Sequence, residues 1–367
     1  MQSRDFDNIL VLTPNAFGAD GVSTLSRHTL RALAGPMSSA GRLELWSLNE
    51  CPADAREITP CPVKYRFAAG SKLRFSSWGL RASIRANRRT LVVLMHLGLA
   101  PVALPLALRG AKLAVFLLGI ESWRPLGVWQ RLALSRAHVI AAISEHTIQR
   151  FVRANPEYAD RDIKICHLGA TNLSASTSPA GHGNFALIVG RMSSQERYKG
   201  HDQLLQIWPD VLREIPTATL LIAGDGDDRP RLEAKAATLG LGGGVQFLGR
   251  VPNERLAALY RDCAFFVMPS RDEGFGLVFL EAMQAGKACI GGAGAAAEII
   301  ADGRTGFVID PADRQQLSTA VRRLFLDSSL RDSMGHAGKQ VVAERFTEEH
   351  FHRRFRDLVG LPQNGCG

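Results

Sequence analysis

The stretch at residues 273–286, EGFGLVFLEAMQAG, decides the reading of this chain. It sets two carboxylates, Glu273 and Glu281, eight positions apart around Gly274-Phe275-Gly276. Glycines on both sides of Phe275 free the backbone for a turn, and the apolar run at 277–283 predicts a helix that begins near Leu277. Such a turn would present backbone N–H groups, with the positive end of the helix behind them, to whatever it holds. That is a way to grip a diphosphate without a metal. Glu273 would precede the turn and Glu281 lie one turn inside the helix, so the two acids would serve different parts of one ligand. A solvated helix start also favours acidic residues, and this segment alone leaves that alternative open.

Outward from this stretch, short apolar runs alternate with helical patterns through both halves of the chain, which predicts an α/β protein. Strands are expected in the second half at 185–189, 218–223, 245–248, 265–268, 288–290 and 307–309. In the first half they are expected at 9–12, 43–47, 91–95, 113–117, 139–143 and 163–166. Both halves therefore read as doubly wound sheets, in which ligands bind at the carboxyl ends of the strands. Gly190-Arg191, Gly224-Asp225, Gly249-Arg250 and residues 270–273 all fall there. GDGDD at 224–228 contains a D-x-D, but Asp and Gly equally suit a strand-end turn, the preferred reading. The polar segment TNLSASTSPAGHGN at 171–184 is the expected linker. A last helix is expected from about Thr347, with Phe351, Phe355 and Leu358 in one apolar stripe that must pack on something.

The length of 367 residues, 46% of them hydrophobic, accommodates two domains. The cysteines at 51, 61, 166, 263, 289 and 366 form no C-x-x-C pair and no zinc-ligand spacing, so free thiols and a reducing, cytoplasmic compartment are expected. The start, MQSRDFDNILVLTPNAF, reads as a first buried strand and not as a signal peptide. The run at 91–108 is broken by His96, Gly98, Pro101 and Pro105, so a strand, turn and short helix are expected in place of a membrane span.

Net charge is +9, and its distribution matters more than its size. Residues 58–120 hold no Asp or Glu but ten Lys and Arg, so subtracting ten from +9 leaves about −1 for everything else. On a helix from about 71 to 89, Arg74, Trp78, Arg81, Arg85 and Arg88 would share one face, an arrangement that suits an anionic membrane surface. Each basic residue near such a leaflet contributes roughly 1 kcal/mol. A surface helix that packs Leu73, Leu80 and Ile84 against a sheet is the alternative, and Gly79 weakens either helix. No nucleic-acid-binding module accompanies the charge, so no nucleic-acid partner is expected.

Taken together, these motifs resemble the retaining glycosyltransferases of the GT-B fold, the large family that includes sucrose synthases and bacterial mannosyl- and glucosyltransferases. The resemblance is strongest at 190–307, where GRMSSQERYKG, AGDGDDRPRLE, VQFLGRVP, PSRDEGFGLVFLEAMQAGK and EIIADGRTGFVIDP occur in the family's order. It implies two Rossmann-like doubly wound domains facing across a cleft: residues 1–175 for the acceptor, 176–345 for a nucleotide-sugar donor, and a helix at 346–367 that crosses back to the first domain. The family's E-x7-E pair falls on Glu273 and Glu281, and its diphosphate clamp on Arg191 and Lys199. Arg supplies a bidentate fork and Lys a compact charge for the two phosphates. The resemblance further implies that Glu281 accepts hydrogen bonds from ribose hydroxyls, and that Glu273 and the turn at Gly274, Phe275, Gly276 and Leu277 hold the sugar and diphosphate. The base would lie near Arg250 and Val251. Neither a metal nor another cofactor is then required.

In the first half the resemblance is thinner. FGADGVST at 17–24, with Gly18 and Gly21, corresponds to the family's acceptor-side loop, and GIESWRPL at 119–126 brings Glu121 to the same side. Relatives often carry His immediately before this Gly-Ile-Glu, where this chain has Leu118. His96, after the strand at 91–95, is then the candidate histidine. The expected activity is retaining transfer of a hexose from a nucleotide-diphosphate sugar to a lipid-linked glycan acceptor, in cell-surface or exopolysaccharide synthesis, by a cytoplasmic protein peripheral on the inner face of the plasma membrane. Transfer to a soluble acceptor, as in a sucrose- or trehalose-type enzyme, and a non-catalytic nucleotide-sugar-binding relative are the alternatives.

Overall fold

The computed structural model describes residues 6–18, 20–34, 42–59, 61–171 and 183–363, so most of the expected linker and Cys366 lie outside the described residues. The chain divides into two compact units, Met1–Gly169 with Glu348–Gly367, and Ala170–Thr347.

In the first unit the chain runs β1 (Asn8–Thr13), α1 (Gly21–Ala34), β2 (Arg42–Ser47), β3 (Val63–Phe67), α2 (Lys72–Ser83), β4 (Thr90–Leu94), α3 (Ala100–Leu108), β5 (Lys112–Leu117), α4 (Val128–Ser135), β6 (Val139–Ala142), α5 (Glu145–Ala154) and β7 (Ile163–Ile165). Its sheet is parallel throughout, in the order β3-β2-β1-β4-β5-β6-β7. The second unit runs β8 (Phe185–Val189), α6 (His201–Glu214), β9 (Thr219–Ala223), α7 (Arg229–Thr238), β10 (Val245–Gly249), α8 (Asn253–Asp262), β11 (Phe265–Met268), α9 (Leu277–Gln284), β12 (Cys289–Gly292), β13 (Gly306–Ile309), α10 (Arg314–Leu326) and α11 (Ser328–Arg345). Its parallel sheet has the order β10-β9-β8-β11-β12-β13.

Central strands are continuous apolar runs because parallel sheets are covered on both faces. Every residue of β4 is buried, as are the last five residues of β1 and of β5. Each sheet reverses its winding beside its first strand, between β1 and β4 and between β8 and β11. The loops after those strands therefore diverge and leave the crevice in which such sheets bind ligands.

Three features differ from expectation. The edge strand β3 was not foreseen, because its residues VKYRF sit in the basic segment and are only partly buried. Its charges are used locally: Arg66 lies 3.2 Å and Lys64 3.8 Å from the Glu44 carboxylate. The basic helix is shorter than expected, running from the Ser71 cap to Ser83, so Arg85 and Arg88 lie beyond α2. Its buried side also differs, although Arg74 and Arg81 are exposed. Trp78 turns inward against Trp46 and Phe75, at ring distances of 6.0 Å each, while Leu73, Leu80 and Ile84 point to solvent. Gly79 explains the choice: a side chain there would meet Val102 of α3 at 2.7 Å, so the glycine lets the two helices touch.

The last helix, α12 (Glu348–Val359), is part of the first unit. Phe351 lies 5.9 Å from the His28 ring, and Phe355 stacks on Phe116 at 5.8 Å. Arg31 pairs with Glu348 at 2.8 Å, Arg356 donates to the Ala32 carbonyl at 2.7 Å, and Arg354 donates to the His167 carbonyl at 2.9 Å. Two fully buried phenylalanines contribute roughly 1.5–3 kcal/mol each, which outweighs the fraying of an isolated terminal helix.

Candidate functional site

In the second unit the reversal between β8 and β11 is flanked by residues 190–200 on one side and 269–276 on the other. The second loop ends at Gly276, whose φ of 96° and ψ of 58° lie in the left-handed region that glycine tolerates, and α9 begins at the next residue. Phe275 is buried against Phe346, with ring centroids 6.1 Å apart, so its side chain anchors the turn and only its backbone is left to serve a ligand. The Lys199 ammonium lies 3.6 Å from the Glu273 carboxylate. The reversal thus brings together Lys199, Glu273 and the N-terminus of α9.

Other predicted residues are held differently. Arg191 is largely exposed and fixed by Glu196, its guanidinium donating at 2.6 and 3.2 Å, so it does not join the Lys199–Glu273 pair. Glu281, inside α9, accepts a hydrogen bond from the Tyr260 hydroxyl at 2.9 Å. Burial raises its pKa to about 7, and the Tyr260 bond pulls only partly the other way. Tyr260 is itself fully buried. Arg250 and Val251 follow β10, two strands from β8, with Arg250 exposed.

The GDGDD segment is built into the loop. A side chain on Gly224 would fall 2.0 Å from the Gly190 carbonyl, so the backbones after β8 and β9 come into direct contact. Asp227 accepts from the backbone and hydroxyl of Ser194. Asp228 accepts from Arg197 at 2.8 Å and from Arg231 at 2.6 Å, and Arg231 also reaches Asp202 at 2.6 Å. These carboxylates brace the loop that carries Lys199. Among the described residues no three of His, Cys, Asp and Glu gather as a metal site would need.

Around the reversal in the first unit, Gly18 and Gly21 lie in the loop after β1 and at the start of α1. Asp20 caps that helix, accepting from the Ser23 amide at 3.0 Å and its hydroxyl at 2.8 Å. Nothing crowds Gly21, and a side chain at Gly18 would meet only the ends of the Asp20 and Ser23 side chains, at 2.8 and 3.0 Å. His96 follows β4, and its Nδ1 accepts the Gly98 amide at 2.9 Å, which leaves Nε2 as the outward atom. Glu121 accepts the Leu118 amide at 2.7 Å and so shapes the turn after β5.

The sequence reading missed three groups. Glu50 is buried at the carboxyl end of β2 and accepts from the Ala16 amide at 2.9 Å, the Phe17 amide at 2.6 Å and the Ser47 hydroxyl at 2.7 Å. With Arg27, which donates at 2.8 Å to the Ala16 and Gly18 carbonyls, it fixes the loop after β1. An acid at a strand end was the available signal. Tyr260 gave none, being 21 positions from Glu281. The third group, His201 Nε2 and Ser270 Oγ, is buried beside the loops that flank this reversal of the second sheet, without a partner among the described residues. Burial, with Lys199 nearby, lowers the His201 pKa to about 4, so the ring is neutral.

Two doubly wound parallel units with strand-end loops gathered at their reversals define the GT-B class. Solved structures agree. Sucrose-phosphate synthase from Thermosynechococcus elongatus superposes with a TM-score of 0.75 at 20% identity, over 96% of this chain and 98% of that one. Anabaena HepE in complex with UDP and glucose superposes with a TM-score of 0.74 at 19% identity, over 96% and 99%. Residues 171–341 match the family described as "Glycosyl transferases group 1". A curated relative, the GDP-mannose-dependent alpha-(1-6)-phosphatidylinositol monomannoside mannosyltransferase of Mycolicibacterium smegmatis, is 36% identical over 169 residues. That stretch is 44% of this chain and spans 44% of the relative's length.

Proposed function

We propose that this protein is a retaining hexosyltransferase that moves a sugar from a nucleoside-diphosphate donor, bound by the second unit, to a glycan or lipid-linked acceptor bound by the first. The observation that carries this reading is the meeting of Lys199, Glu273 and the α9 N-terminus beside one reversal of the sheet. In this reading the diphosphate rests on the amides after Gly276, with Lys199 and Arg191 as counter-charges. As the bond from the anomeric carbon to the phosphate oxygen breaks, the electron pair leaves with the diphosphate. Lys199, with Arg191 turned from Glu196, meets this charge, while Glu273 faces the sugar as it gains oxocarbenium character. Glu281 serves the ribose, held in place by Tyr260. The mannosyltransferase relative, named for GDP-mannose and a phosphatidylinositol mannoside, supports a donor and an acceptor of this kind.

Calorimetric titration with UDP, GDP, ADP and NAD tests the reading. One nucleoside diphosphate should bind, and Lys199→Ala and Glu281→Ala should each weaken binding or turnover tenfold or more, about 1.4 kcal/mol, with the fold intact. Unchanged behaviour in both variants would remove the site assignment. Binding without transfer to any acceptor would favour a non-catalytic relative, and a preference for NAD would exclude both.

A further inference from the structure

Seven of the ten most exposed large hydrophobic residues among the described ones lie on or at the end of three helices, α2, α3 and α4. The helices are neighbours: α3 packs against both α2 and α4, with Gly79 against Val102 at one contact. On α2 and its C-cap, Leu73 is 86% and Ile84 75% exposed, with Leu80 between them, opposite the buried Phe75, Gly79 and Ser83. On α4, Val128 and Trp129 are 69% and 59% exposed, and Leu132 follows one turn on. None of these packs a core.

The same face is basic. Of the ten cations at 58–120, Lys64 and Arg66 are spent on Glu44, and Arg89 on Asp7 at 2.8 Å. Lys72, Arg74, Arg81, Arg85, Arg88 and Arg109 are exposed and have no ion pair among the described residues. A second copy of the chain would bring like charges together across a two-fold axis, and a nucleic acid would leave the leucines in water. An anionic bilayer meets both needs, with phosphates at the level of the arginines and an apolar layer just below.

We propose that this face seats in the headgroup layer of an anionic membrane, with Leu73, Leu80, Ile84 and Trp129 inserted and the arginines paired to lipid phosphates. The lipid-linked acceptor gives the contact its purpose, and to that extent the proposal rests on the function above, but its evidence is the helix face alone. Flotation of the full chain, without nucleotide or acceptor, with vesicles of phosphatidylcholine and of phosphatidylcholine plus phosphatidylglycerol tests it. The protein should float with the anionic vesicles and be released by salt. Leu73→Ser/Leu80→Ser should lower partitioning at least tenfold. Arg81→Gln/Arg85→Gln should lower partitioning onto the anionic vesicles at least tenfold, and Trp129→Phe should remove quenching by brominated lipid. These side chains are exposed, and circular dichroism with nucleotide titration on the same samples checks folding and the donor site separately. No flotation of the parent, equal flotation of the leucine variant, or a patch that governs only self-association would overturn the proposal.

Discussion

At the scale of the residue, Glu281 carries the most informative perturbation. Its pKa is raised by burial from 4.5 to about 7, so the folded second unit holds this proton more tightly than the unfolded chain does. Below pH 4.5 both states are protonated. Between 4.5 and 7 the unfolded carboxyl ionises first, and the stability of the second unit falls as pH rises through that window. Urea midpoints measured from pH 4.5 to 8 should show this fall, and Glu281→Gln should flatten it. Nucleotide affinity should move the other way in the parent protein, weakening as pH drops below about 7, because a protonated carboxyl accepts ribose hydroxyls less well. Glu273 was legible from its place before a glycine turn, and Lys199 only through the resemblance to the family. Tyr260 and Glu50 were not, because a hydrogen bond across 21 or 34 positions leaves no local pattern.

At the scale of the element, helix α2 shows how little its own sequence decides. Its leucines and its indole lie on different sides, and periodicity alone permits either to turn inward. Gly79 and Trp78 settle the matter, because only the glycine side can approach α3 and only the indole has Trp46 and Phe75 to meet. Gly79→Ala should therefore destabilise the first unit by about 1–3 kcal/mol through overpacking, although alanine is the better helix former. Chemical unfolding followed by circular dichroism measures this, and a stabilised variant would refute the packing. Strand β3 escaped the reading for a related reason: an edge strand with charged, half-exposed residues has no apolar run to announce it.

At the scale of the whole molecule, binding should couple to stability. A nucleoside diphosphate at a hundred times its dissociation constant should stabilise the folded state by about 2.7 kcal/mol and raise the melting temperature by roughly 5–10 °C, as read by scanning calorimetry. Glu281→Ala should show little of this shift at the same concentration. The sequence by itself determined the alternation of strands and helices, the strand-end positions of the candidate donor-side residues and the concentration of positive charge in the first half, because each is written in short-range periodicity and composition. Only the tertiary structure decided which cations Glu44, Asp7 and Glu196 take up, which acids brace the loop of Lys199, and which side of α2 meets solvent. Those outcomes depend on which distant side chains the folded sheets bring within a few ångströms, a competition among partners that no single segment encodes.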